Sequence, residues 1–247
     1  MQEIQLDDIK AYIAGLSDEK RQEIIDAGEV VNECVRVLSQ TKHNIVNELL
    51  RFESKFTEWQ HIPKGDVYDK KSHSQFYYHA HSKAKDKSGP HDDEHGHFHT
   101  FLRGKGMPKA MKPYPAEDLD PKLDQADMLT HIAGVAVDNF GRPFKIFTTN
   151  RWVTAETWFN ADDIIQLLDQ YEIDHTQPSW PVNLWITHVM KLFQPQIVLL
   201  LKQRDITIAA WKKEHPDENV FEDRALEVTS IAQIDIEQQL ELLHNTS

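Results

Sequence analysis

The chain has 247 residues, 40% of them apolar and 27% charged, with nine glycines and eleven prolines. This composition excludes collagen-like, low-complexity and wholly disordered chains, and the length suffices for a filled core in one domain. The formal net charge of −13 argues against nucleic acid as a partner, because Asp interrupts both lysine-rich segments, 64–71 and 83–87.

The opening MQEIQLDDIK lacks the basic-then-apolar layout of a secretion signal. From residue 3 to about 60 the sequence reads as helix. Ser17 is an N-cap, with Asp18 and Glu19 in the first turn. Ile24, Ile25, Val30, Val31, Val35, Val37 and Leu38 then recur broadly at helical spacing. Cys34 sits in this stripe as a buried structural thiol, and as the single cysteine it excludes a disulfide framework or a Cys-rich zinc module. A further helix covers 45–56 and is ended by Pro63, Lys64 and Gly65.

From about 72 to 160 the texture changes. QFYYHAHS, EHGHFHTFLR, LTHIAGVAVD and RPFKIFTTNRWVT are rich in aromatic and β-branched residues and bounded by Gly, Pro and Asp, which predicts strands. Asp138, Asn139, Phe140 and Gly141 join the last two as a hairpin. Two long loops, 83–93 and 104–127, interrupt the sheet, and loops of that length beside a sheet commonly carry function.

From about 161 the chain returns to helix. Asp162 and Asp163 precede IIQLLDQY, and SWPVNLWITHVMKLF leads into PQIVLLLKQRDITIAAWKK. Pro195 either divides those two helices or sits in the first turn of the second. The densest apolar run, 197–201, is closed by Lys202, far short of the ~20 residues needed to span a bilayer. Residues 226–234 are a candidate fifth strand and 236–243 a terminal helix. The expected fold class is α+β: a small antiparallel sheet of four to five strands flanked by N-terminal and C-terminal helices, one domain over 1–247, soluble and cytoplasmic.

The chemistry is concentrated in histidine. Of 14 histidines, seven lie between His73 and His99. His79 and His81 are two apart, as are His95, His97 and His99, and alternate side chains of a strand share a face. The reverse faces carry Phe76, Tyr78 and Ala80 on one strand and Gly96, Phe98, Thr100 and Leu102 on the other. A hairpin that sets His81 against His95 sets His79 against His97, a shift by two still sets His opposite His, and opposed Cβ atoms lie about 4.5–5.5 Å apart. That spacing lets several imidazoles share one ion with bonds of about 2.0–2.1 Å. The expected ligand set is His79, His81, His97 and His99, joined by His95 and by His131 if its strand is a neighbour. Alternatives without an ion are an exposed polar face, a hydrogen-bonded buried network or a pH-responsive cluster. His73 and His91 flank the rows, while His43, His61, His188, His215 and His244 read as surface or packing residues.

Zinc and iron(II) lead as the divalent ion, with copper(II), nickel and manganese also suited to imidazole. Glu94 and Asp138 have the wrong strand parity to join the rows, whereas Asp92, Asp93, Glu156 or Asp174 can reach in from loops. In FTTNRWVT, Thr148, Asn150 and Trp152 share a face if the strand persists, with Arg151 opposite. Arg151 and Arg103 suit a carboxylate or phosphate, against the plainer pairing of Arg151 with Glu156 or a helix end. Asp174 and His175 form a candidate acid–base pair, and Ser179 caps the helix that Trp180 and Pro181 begin. Arg151, Asp174 and His175 are therefore candidate catalytic residues, and Arg103, Asn150 and Trp152 candidate substrate contacts. There is no serine nucleophile elbow, P-loop or dinucleotide glycine fingerprint.

The segments YYHAH, EHGHFHTFLR, FTTNRWVT and PSWPVN together resemble an uncharacterised bacterial family, a domain of unknown function, over about 75–200. The resemblance implies a shared histidine-rich site and no particular activity. Likeness to the histidine-rich strand of cupins is loose, because the following glutamate and glycine are missing. The leading expectation is a metal-dependent enzyme, hydrolase or non-haem iron oxygenase, acting on a small molecule in a pocket closed by 104–127. The alternatives are a non-catalytic metal buffer, chaperone or sensor, or a structural metal site.

Overall fold

The computed structural model describes residues 2–51, 60–80, 94–116 and 118–245. After a two-residue strand, β1 (Gln2–Glu3), come helices α1 (Leu6–Ala14) and α2 (Asp18–Ser39). Ser17 caps α2 as expected: its Oγ accepts the Lys20 N–H at 3.1 Å. Replacing Ser17 with Ala is expected to cost about 1 kcal/mol, a thermal midpoint lower by about 2–4 °C, which a melting curve reads directly. The buried stripe is Ile24, Ile25, Val31, Cys34 and Leu38. It is narrower than the sequence suggested: Val37 falls off the helical period, and Val35 and Val37 are 41% and 50% exposed. Burial pushes the Cys34 thiol up to about 11, as suits an inert packing residue.

Helix α3 (Ile45–Leu50) is capped by the Asn44 side chain, and the expected run to residue 56 passes outside the described residues. Pro63, Lys64 and Gly65 are not a helix stop. They belong to β2 (Ile62–Tyr68), an edge strand whose pairing is irregular between Ile62 and Val67. Edge strands tolerate the missing N–H of proline and the bulge that Gly65 (φ 89°) and Asp66 (φ 61°) make.

The remaining strands are β3 (Ser74–Ala80), β4 (Gly96–Arg103), β5 (Leu129–Val137), β6 (Pro143–Thr149) and β7 (Val228–Gln233). They form one sheet in the order β1-β7-β6-β5-β4-β3-β2, antiparallel throughout β2 to β7, with β1 parallel to β7. The sheet therefore has six antiparallel strands, where four to five were expected. The β5–β6 hairpin stands as read: Asp138 Oδ1 accepts the N–H groups of Phe140 and Arg142, and Gly141 takes φ 74°.

Helices α4 (Arg151–Thr154), α5 (Ala161–Ile165), α6 (Trp180–Leu192), α7 (Gln194–Glu214) and α8 (Ile236–Asn245) complete the chain. Pro195 lies in the first turn of α7 and also marks its separation from α6. The core lies between these helices and the sheet face bearing Phe76, Tyr78, Phe98, Leu102 and Val135, with Trp185 of α6 at 5.3 Å from Phe98. Helix α7 packs on β6 and β7, and α2 packs outside α6. No single described helix is long and apolar enough to cross a membrane; α6 and α7 qualify together in composition but bend by 68°.

Candidate metal site

Pleating leaves the opposite face of the sheet to the histidines. His79 of β3 stands directly opposite His97 of β4, one of the registers that the histidine spacing allowed. His97 in turn faces Ala136 of β5, which faces Lys145 of β6. The next row runs Tyr77, His99, Gly134 and Phe147. Small residues on β5 make room in both rows. A Cβ at Gly134 would stand 2.4 Å from the Phe147 ring, which packs edge-on to His97 at 5.0 Å.

His131 reaches this face through a bulge. Thr100 pairs with Ala133 but Phe101 pairs with His131, so Ile132 is an extra residue on β5. Without it, His131 would point into the helical core. This shift of parity also explains why counting along β5 by twos misplaces residues relative to His131.

His79, His97 and His99 each offer a ring nitrogen within 4.8 Å of the others, an arrangement able to hold a metal ion. His97 and His99 are 2% and 1% exposed, and their Nε2 atoms lie 2.9 Å apart. Two nitrogens bound at about 2.0–2.1 Å and at right angles to one ion would have about that separation. Behind the triad, His97 Nδ1 meets Glu94 Oε2 at 2.7 Å, and Glu94 Oε1 meets the Lys145 ammonium at 2.5 Å. His99 Nδ1 meets His131 Nε2 at 3.0 Å, and His131 Nδ1 faces Thr149 Oγ1 at 3.4 Å.

This chain accepts two proton patterns. Without an ion, His131 donates to His99, His99 to His97 and His97 to Glu94. With an ion, His97 would still donate from Nδ1 to Glu94, while His99 would donate from Nδ1 to His131, leaving both Nε2 lone pairs for the ion. A carboxylate and a second imidazole behind rings that could hold an ion fix their tautomers, an arrangement usual for histidine-bound metals. Burial, then the charge of Arg204, pushes His131 down to about 3, so it stays neutral and able to accept.

A family model described as Domain of unknown function (DUF6969) matches residues 25–234. The chain belongs to the DUF6969 family. No curated protein and no solved structure matches it. The resemblance read from the sequence motifs is thus upheld at family level, and the DUF6969 match takes in the triad and every strand from β2 to β7.

Other residues singled out in this DUF6969 chain are placed as follows. His81 lies outside the described residues. His95 leaves the row: it precedes β4, and its Nδ1 meets the Tyr78 hydroxyl at 2.6 Å, on the core-facing side. His131 stands behind His99, outside the three-histidine group. Glu94 precedes the strand, so strand parity does not bind it, and it supports His97 instead of being excluded from the site. Glu156 accepts the His131 backbone N–H at 2.7 Å and does not reach the triad.

Asp174 and His175 do not pair with each other. The Asp174 N–H donates to Asp69 in the β2–β3 turn, and His175 lies against Asn183, so both belong to the end of β3 remote from His79. Strand β6 stops at Thr149. Asn150 therefore caps α4 and donates to the Val220 carbonyl, and Trp152 donates to the Leu226 carbonyl. Arg151 is held by Asp118 and Glu222, not by Glu156. Ser179 sits at the head of α6, but its hydroxyl donates to Glu48. Sequence reading missed His61, which stacks on Tyr77 at 3.6 Å, meets Asp66 at 2.9 Å and lies 6.4 Å from His79. It also missed Lys145.

Proposed function

We propose that this chain binds one divalent ion, zinc or iron(II), through His79, His97 and His99, and that it is a metal-dependent enzyme acting on a small molecule at that ion. The observation supporting this reading is the convergence of three imidazoles from adjacent strands, with Glu94 orienting His97. Three neutral imidazoles leave coordination positions for water or substrate. Zinc so held would polarise a bound water or carbonyl for hydrolysis, and iron(II) would serve oxygen chemistry.

The test is elemental analysis of protein purified without an affinity tag, beside a His97→Ala/His99→Ala variant whose fold is checked by circular dichroism. Wild type is expected to carry about one equivalent and the variant none, since two of three ligands are gone. Equal metal in both proteins, or none in wild type after incubation with zinc or iron(II), overturns the proposal. An ion whose spectrum shows no exchangeable water keeps the site but removes catalysis.

A further inference from the structure

Arg103 closes β4 on the same face as His99 and Phe101, four residues from His99 and so about 13 Å along the strand. Its Nε donates to Gln75 Oε1 at 2.6 Å, and Gln75 Nε2 donates to Asp66 Oδ2 at 2.6 Å. This brace fixes the plane of the guanidinium. Its two Nη groups make no hydrogen bond or ion pair among the described residues. Arg103 lines a cleft of about 340 Å³ between the end of β4, the 104–127 loop and the chain after α4. That volume is in the range of small-molecule sites.

The walls of the cleft include Tyr114, Leu123, Leu129 and Trp158. Arg151 also lines it, but Asp118 and Glu222 already engage its guanidinium. Arg103 is thus the cation with open donors, set beside apolar and aromatic surface. Asp120 and Asp127 on the same cleft disfavour a doubly charged anion.

We propose that this cleft binds a small organic monocarboxylate, its two oxygens on the Nη groups of Arg103 and its apolar body against Tyr114, Leu123, Leu129 and Trp158. A guanidinium fork matches a carboxylate at two points, which an ammonium does not. The cleft meets the histidine rows through Glu156, which lines it and accepts the His131 N–H, so the two sites share a wall and no ligand atom. The inference holds with or without the ion.

Isothermal titration calorimetry with benzoate and hexanoate tests it, with benzamide as the neutral match and inorganic phosphate as the dianion. Both carboxylates are expected to bind, benzamide and phosphate more weakly. Arg103→Gln should weaken carboxylate binding by about 10- to 100-fold, the range for a hydrogen-bonded charge. Because Arg103→Gln also breaks the bond to Gln75, Leu123→Asp provides a second variant, placing a repelling carboxylate in the cleft with Arg103 intact, and the same loss is expected. Metal content should be unchanged in both variants, which separates failure here from failure of the triad. Absence of carboxylate binding, wild-type affinity in both variants, or tighter binding of phosphate overturns the proposal.

Discussion

Lys145→Met is expected to destabilise the protein by about 3–5 kcal/mol, the usual consequence of removing one partner from a buried ion pair. At this chain length that is a thermal midpoint lower by about 10 °C. Lys145 and Glu94 are each 5% exposed, and the ammonium stands 2.5 Å from Glu94 Oε1. Removing it takes away a cation that faces the carboxylate where water screens little. The double variant Glu94→Gln/Lys145→Met, which removes both charges together, is expected to recover most of the loss. Urea denaturation of both variants and wild type reads both effects. If Lys145→Met unfolds within 1 kcal/mol of wild type, the pair is not the buried ionic element described. Glu94→Gln alone also weakens the orientation of His97, and metal affinity should fall about 10- to 100-fold, as when such supporting carboxylates are lost elsewhere.

How much of this was legible in the sequence depends on which regularity carried it. Strand parity is a strict period of two, so His79, His97 and His99 could be set on one face, His opposite His, before any coordinates, while the pairing of His79 with His97 was one of the registers left open. Parity fails at irregularities. The Ile132 bulge brings His131 onto the face, and nothing in LTHIAGVAVD announces an extra residue. The start of β4 fails likewise: His95 and Glu94 precede the first paired residue, so one turns to Tyr78 and the other to His97. Strand β2 escaped because Pro63 and Gly65 read as breakers, and with it went the place of His61 beside Tyr77. Lys145 was hidden differently. A lysine in a strand reads as solvent-facing, and only the small Ala136 lying between it and His97 across the sheet hints that it turns inward. Arg103 was read from the sequence as a cation suited to a carboxylate or phosphate, together with Arg151. That Arg151 would not join it follows from Asp118 and Glu222, which are distant in sequence.

Glu156→Gln is expected to raise stability by about 3 kcal/mol above pH 7 and to change it little below pH 4.5. Burial pushes the Glu156 carboxyl from 4.5 up to about 7, against the opposing pull of Arg204 and of hydrogen bonds from the His131 N–H, Thr130 and Thr154. The folded protein therefore holds this proton more tightly than the unfolded chain. Its contribution is fully present below about 4.5 and is lost as pH rises through about 7. Glutamine does not titrate. Its carbonyl can keep the bonds from the His131 N–H and Thr130, and its amide can donate to Thr154 Oγ1. His131 acts in the opposite direction: its folded value lies near 3, below the ordinary 6.5, so stability is present above about 6.5 and lost as pH falls toward 3. Stability should then pass through a maximum between these limits, with its alkaline slope set partly by Glu156 and its acid slope partly by His131. Urea midpoints from pH 5 to 9 for wild type and Glu156→Gln decide the matter. An alkaline slope that is the same in both proteins would mean that Glu156 is already ionised in the fold, and that the corner joining the Arg103 cleft to the histidine rows is more open to water than its burial indicates.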